Sequence, residues 1–237
     1  MTSDWVKFYD FRHSIIYVNE RHRDVHYARI AQDIAPYIPS PSARMLDYGS
    51  GEALHADEIA ARCGALALAE AAPNVRAILK QRFADNPNIT VMTPEEVAAL
   101  PAGSFDLIVM HSVAQYLSGV ELDALLATFH RLLKPDGTFV LGDVVPPRFA
   151  SARAALALLR FGAANGFLGA AILGLMRIVV SDYLRLSRRA GLSHYTQAQT
   201  EERLRAAGFA PSRAPRNIGH NQGRMTFVSR PVTVNGR

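Results

Sequence analysis

The sequence contains a single cysteine, Cys63, which rules out an internal disulfide, and no Cys/His cluster in it has the spacing of a structural zinc site. Only three lysines and one tryptophan occur among 237 residues. No apolar leader opens the chain, because Trp5, Lys7, Asp10 and Arg12 interrupt any such run, and the expectation is a cytoplasmic protein. Acidic residues are scarce in one part of the chain. Residues 1–147 carry 12 Lys/Arg against 18 Asp/Glu, a balance of −6, whereas residues 148–237 carry 14 Arg against 3 acids, a balance of +11. That asymmetry points either to an anionic partner, nucleic acid or a membrane surface, or to a solvated arginine-rich face. With 49% hydrophobic residues the chain is long enough to bury one α/β core and too short for two comfortable domains.

The stretch RMLDYGSGEA at 44–53 stands out. Met45 and Leu46 end a short buried strand, Asp47 puts a carboxylate at its tip, and Gly49 and Gly51 let the backbone turn tightly beside a ligand. Dinucleotide dehydrogenases carry a similar turn, so the flanking pattern has to decide between them. Asn19 is a plausible N-cap for a helix in which Val25, Tyr27, Ile30, Ile34, Tyr37 and Ile38 recur near a 3.6 period before Pro39. His22 and His26 on it lack the glutamate of a zinc-binding helix, so they are read as an exposed basic face and no metal is expected. After the turn, helices are predicted over 54–63, 74–84, 121–133 and 197–207, and strands over 65–69, 89–92, 105–110, 138–141, 210–217 and 225–230. Thr93-Pro94-Glu95-Glu96 has the form of a capping box with proline at the first helical position. Strands alternating with helices imply a parallel, doubly wound sheet, and the short link at 219–223 makes the last strand antiparallel.

Residues 146–190 break the alternation. From Phe161 to Val180 only Asn165 and Arg177 are clearly polar, and Gly162, Gly166, Ala170 and Gly174 fall four apart, as on one ridge of a helix. So apolar a stretch has to be covered by a pocket with its substrate, by a second subunit docked on the ridge, or by a lipid interface assisted by Arg177, Arg185, Arg188 and Arg189; its length also permits a membrane span.

Taken together, MLDYGSGEA, the Glu70 that closes the second strand, SFDLIVMHSVAQYL and LLKPDGTFVLGD resemble the class I S-adenosylmethionine-dependent methyltransferases, in particular their small-molecule branch. The resemblance covers about 43–145 by motif and 196–230 by topology. It implies a seven-stranded, mostly parallel Rossmann-like sheet with an antiparallel last strand. The single domain then divides into an N-terminal lid (1–40), a cofactor-binding core (41–145), a helical substrate cover (146–195) and a C-terminal helix and hairpin (196–237). The resemblance also implies S-adenosyl-L-methionine as cofactor, a glycine turn (Tyr48, Gly49, Ser50 and Gly51) facing its methionine part, Glu70 on the ribose hydroxyls with Ala71 beside it, and Asp47 at the amino group or an ordered water. The third glycine common in this turn is Ala53 here, which a helix start tolerates. Adenine recognition, for which relatives use an aspartate, falls to Thr93 with backbone amides in preference to Glu95.

Methyl transfer from a sulfonium needs nucleophile and methyl group held in line, and an oxygen or carbon nucleophile needs a base as well. His111 at the end of the fourth strand is the leading base, or else it packs on the cofactor; Asp143 and Tyr116 are secondary. Tyr17, Asn19 and His22 as lid residues, and His220, Asn221 and Gln222 in the last hairpin, are candidates for substrate contact, the last three being equally good turn formers. A small, apolar metabolite is the expected acceptor. An NAD(P)-dependent oxidoreductase and an inactive accessory protein on the same fold are the alternatives. Nucleic acid is not expected as a partner, since the fourth strand ends in HSVAQY and lacks an N/D-P-P-Y/F/W motif.

Overall fold

The computed structural model describes Val6, Asp10 and residues 17–147, 151–178 and 192–232. Helix α1 (Glu20–Ile34) leads into the sheet, Asn19 capping it by accepting from the His22 N–H at 2.8 Å. There follow β1 (Arg44–Tyr48), α2 (Ala56–Ala60), β2 (Ala65–Ala69), α3 (Pro73–Arg82), β3 (Ile89–Met92), α4 (Pro94–Ala98), β4 (Phe105–His111), α5 (Gly119–Leu132) and β5 (Leu133–Val144). The chain continues through α6 (Ser151–Ala164), α7 (Leu168–Ile178), α8 (Gln197–Ala206), β6 (Phe209–Arg213) and β7 (Met225–Pro231). The seven strands lie in the order β3-β2-β1-β4-β5-β7-β6. All neighbours are parallel except β7, which runs antiparallel to both β5 and β6.

Strand alternation divides the core between two faces. Leu46, Ile108, Met110, Phe139 and Phe227 point to one side, against α5 (Leu122, Leu126, Phe129) and Leu204 of α8. Met45, Leu107, Val109 and Val140 point to the other, against Ile34 of α1, Ile59 of α2 and Leu79 of α3. The LKPDG motif explains itself at the far edge. Lys134 Nζ lies 2.6 Å from Asp106 Oδ1, while Asp106 Oδ2 accepts the Arg44 N–H at 2.8 Å, so the motif pins β5 to the starts of β4 and β1, away from the strand ends that carry the glycine turn.

Two expectations fail here for backbone reasons. The helix after the glycine turn starts at Ala56, because Ala53 is left-handed at φ 44° and extends the turn instead of opening the helix. The glycine ridge is not one helical face. Gly166 is left-handed at φ 77°, the Phe167 N–H reaches back to the Gly162 carbonyl at 2.9 Å, and this closure ends α6 and starts α7 as a hairpin. The small residues are used within the chain: a Cβ on Gly162 would stand 3.1 Å from the Ala171 Cβ, and one on Gly174 only 2.2 Å from Val18 Cγ1. Docking of a second copy along that ridge is therefore withdrawn. The spanning reading falls with it, since among the described residues no helix is long and apolar enough to cross a membrane. Arg185, Arg188 and Arg189 lie outside the described residues, as does the side chain of Arg177.

Gly166→Ala separates the two geometries by sign. In this hairpin the substitution destabilises by about 1–2 kcal/mol, the left-handed penalty for a Cβ, whereas in the middle of a continuous helix it would stabilise by about 1 kcal/mol. Urea unfolding of the variant reads the difference.

Candidate active site

One cavity of about 1200 Å³ opens at the carboxyl ends of β1, β2, β4 and β5. Its floor is the glycine turn. Gly49 and Gly51 both take positive φ (77° and 58°), and the Gly49 and Ser50 N–H groups donate to the Ala69 carbonyl at 2.8 and 3.2 Å, tying the turn to the end of β2. Gly49 has no room for a side chain, because a Cβ there would meet Val113 Cγ2 at 2.3 Å. Three non-glycine residues among those described have positive φ: Ala53, Ser112 and Asp143. All three line this cavity, so backbone strain of about 1–3 kcal/mol each is concentrated at its rim.

Glu70 is the brace. Its Oε2 accepts the Gly51 N–H at 3.0 Å and its Oε1 accepts the Ala72 N–H at 2.8 Å, joining the turn, the tip of β2 and the entry to α3. Burial raises its pKa against the lowering effect of those amides. Asp47, at the tip of β1, has no such support. Among the described residues no hydrogen bond or ion pair reaches its carboxylate, and burial first, then the neighbouring Glu70 charge, pushes its pKa up to about 7. Tyr27 of α1 closes over the turn, its hydroxyl accepting the Glu52 N–H at 2.9 Å. Tyr48 packs edge-on against Phe129, ring centroids 5.0 Å apart, and lines the cavity together with Ala71 and Pro94.

Across the cavity stands a second network. Asp143 is buried, and its carboxylate accepts from Ser112 Oγ, from Asn217 Nδ2 at 3.0 Å and from Arg224 at very short range. Burial alone would raise its pKa, but Arg224, His111 and these donors hold it well below the usual carboxylate range. A carboxylate so saturated is a poor base, and Asp143 is withdrawn as one. His111 lines the cavity with Nε2 3.4 Å from the Ile218 carbonyl, and burial lowers its pKa. Tyr116 also lines it.

Six expected positions change character. Thr93 does not line the cavity; it caps α4, accepting the Glu96 N–H at 3.1 Å, and Pro94 takes its place in the wall. Asn19 is exposed, caps α1 and is absent from the wall, so it is not a substrate contact. Asn221 lines the cavity but uses its Oδ1 to accept the Gly223 N–H at 3.1 Å, and Gln222 braces the same loop through the Asn217 and Gly219 carbonyls. His22 and His26 are not an exposed face. His22 is 6% exposed, and both rings line the cavity with Tyr17, His111 and His220. The sequence reading missed Tyr27 and His26 as cavity residues, and it missed Arg224 and Asn217 entirely.

Removing Arg224 leaves Asp143 buried and short of its cation. Arg224→Ala is expected to destabilise the protein by about 3 kcal/mol at neutral pH. In the wild type, the depressed Asp143 pKa adds stability that is present above the unfolded value and lost as pH falls, so the gap between the two proteins narrows on acidification. Denaturant melts at a series of pH values check both the size and the trend.

With this geometry in hand, comparison with known proteins is direct. Residues 46–141 match the family model described as a methyltransferase domain. Over 132 residues the chain is 33% identical to the chondramide synthase cmdD of Chondromyces crocatus, an overlap of 48% of this chain and 3% of that much longer protein. Among solved structures, the complex of DhpI with S-adenosylhomocysteine (SAH) superposes with a TM-score of 0.62 at 12% identity, over 96% of this chain and 95% of that one. The 1,6-didemethyltoxoflavin-N1-methyltransferase of Burkholderia thailandensis, holding 1,6-didemethyltoxoflavin and S-adenosylhomocysteine, gives a TM-score of 0.60 at 19% identity over 96% and 88%. At these identities the structures speak for the fold, and the family model speaks for the stretch that holds the glycine turn, Glu70 and His111. Residues 46–141 thus match a methyltransferase domain, set in a seven-stranded sheet of the fold that these solved structures share.

Proposed function

We propose that this chain transfers the methyl group of S-adenosylmethionine to a small, largely apolar acceptor. The observation that carries the proposal is the opposed polarity of the two ends of one cavity. At the β1–β2 end stand two carboxylates and a turn of backbone amides; at the other end stand Val145, Leu158, Leu175 and Leu192. The donor supplies an electrophilic methyl on a sulfonium. On this reading Asp47 takes the donor's ammonium group, which is the cation its carboxylate lacks, and Glu70 takes the ribose hydroxyls through the lone pairs not used by Gly51 and Ala72. Gly49, Ser50 and Gly51 run beside the methionine part, and Ala71 and Pro94 flank the base.

Helices α6 and α7 act as the substrate cover, with Ala152, Ala155 and Leu158 of α6 and Leu175 of α7 facing inward. Their cover makes the acceptor end dry, which favours an apolar molecule and excludes water from the displacement. The outward positions Ile172, Leu173 and Met176 of α7 are 46–59% exposed, which supports peripheral contact of the 161–189 stretch with a lipid surface.

Titration with S-adenosylmethionine tests the assignment. Asp47→Ala and Glu70→Ala are each expected to weaken binding by at least about tenfold, from the loss of one charge-assisted contact of about 1.5–3 kcal/mol. Wild-type affinity in both variants would refute it.

A further inference from the structure

Buried imidazoles without partners are costly, and this cavity gathers several. His22 and His26 from α1 and His220 from the β6–β7 loop stand mutually within 6.0–6.2 Å, centroid to centroid. Aromatic rings hold each in place: His220 stacks on Phe161 at 4.6 Å and 8°, His22 stacks on Phe167 at 5.0 Å, and Tyr17 and Tyr27 each lie 5.6 Å from His26. His22 has a fixed role, since its Nδ1 accepts the Val18 N–H at 3.3 Å. His26 and His220 do not. Among the described residues neither ring has a hydrogen-bond partner, and both line the cavity. No group of three or more His, Cys, Asp or Glu stands close enough among these residues to hold a metal ion.

We propose that His26 and His220 are the specificity-determining pair of the acceptor site, and that they select a neutral, flat, apolar acceptor bearing a hydroxyl group, such as a phenol or an enol. The inference rests on the methyl-transfer reading and narrows its substrate class. A neutral imidazole offers one donor and one acceptor, and two of them facing one space match the two faces of an O–H. Burial lowers the pKa of all three rings, His22 to about 4, with the neighbouring imidazoles adding to the effect at His22 and His26, and Arg224 and His111 at His220. An ammonium finds no counter-charge at this end, because Asp143 is committed to Arg224, Asn217 and Ser112 and Glu52 faces Arg23 at 3.5 Å. A carboxylate would meet uncharged rings and have to shed its water without return.

Four probes with one apolar body distinguish these cases: 1-naphthol, 1-methylnaphthalene, 1-naphthoate and 1-naphthylmethylammonium, each titrated into the protein loaded with SAH. The expected order puts 1-naphthol first, at least about tenfold tighter than 1-methylnaphthalene, the equivalent of a well-made hydrogen bond. That margin should shrink to less than about threefold in His26→Phe and in His220→Phe, while SAH affinity is unchanged. His26→Asn, which keeps a donor and an acceptor, should retain most of it. Tightest binding of 1-naphthoate or of the ammonium, no preference for the hydroxyl in the wild type, or a margin that survives both phenylalanine substitutions would overturn the inference. Failure of the wild type to bind SAH in the loading step would instead refute the methyl-transfer reading beneath it.

Discussion

The Glu70 carboxylate is the contact through which the β1–β2 end of the cavity is assembled. By accepting N–H groups from Gly51 on one side and Ala72 on the other, it locks the glycine turn to the tip of β2 and the entry to α3. That lock has an electrostatic consequence. A second carboxylate, Asp47, stands in the same buried corner and feels the charge of Glu70, with no cation or donor among the described residues to offset it. Burying a charge without a partner is unfavourable unless function requires it. The free protein therefore holds a carboxylate without a cation, the place that the proposed reading gives to the donor's ammonium group.

The other carboxylate of the cavity shows the contrast. Asp143 is buried, yet Arg224, Asn217 and Ser112 satisfy it completely, and it serves to hold the left-handed ends of β4 and β5 and the loop after β6 in one arrangement. At the β1–β2 end the Asp47 carboxylate is thus unpaired, whereas at the other end Asp143 is closed off by its own partners, and the imidazoles and the α6–α7 hairpin line that end with neutral and apolar groups. On the proposed reading this division gives a sulfonium donor and an apolar acceptor separate places in one enclosure, which is what an in-line displacement needs.

Much of this was legible in the sequence, for local reasons. The glycine turn, Asp47, Glu70 and the strand alternation are short-range patterns, and the parallel sheet with an antiparallel β7 follows from them. What escaped depended on single backbone angles or on distant pairings. Ala53 at φ 44° moved the start of α2, and Gly166 at φ 77° turned an apparent glycine ridge into a hairpin; spacing by fours cannot distinguish a ridge from a cap. His22 and His26 read as surface because a helix with a weak apolar stripe does not announce that its polar side faces a cavity. The Asp143–Arg224 pair spans 81 residues, and nothing near either residue signals the other.

The central claim, that Asp47 is completed by the cation of the methyl donor, predicts a proton count. With its pKa raised to about 7, Asp47 is about half protonated at that pH in the free protein and must ionise when an ammonium arrives. Calorimetric titration of S-adenosylmethionine at that pH, in two buffers of different ionisation heat, should show net proton release that disappears in Asp47→Asn. Binding heats that are the same in both buffers for the wild type, or proton release that persists without the Asp47 carboxylate, would contradict the account.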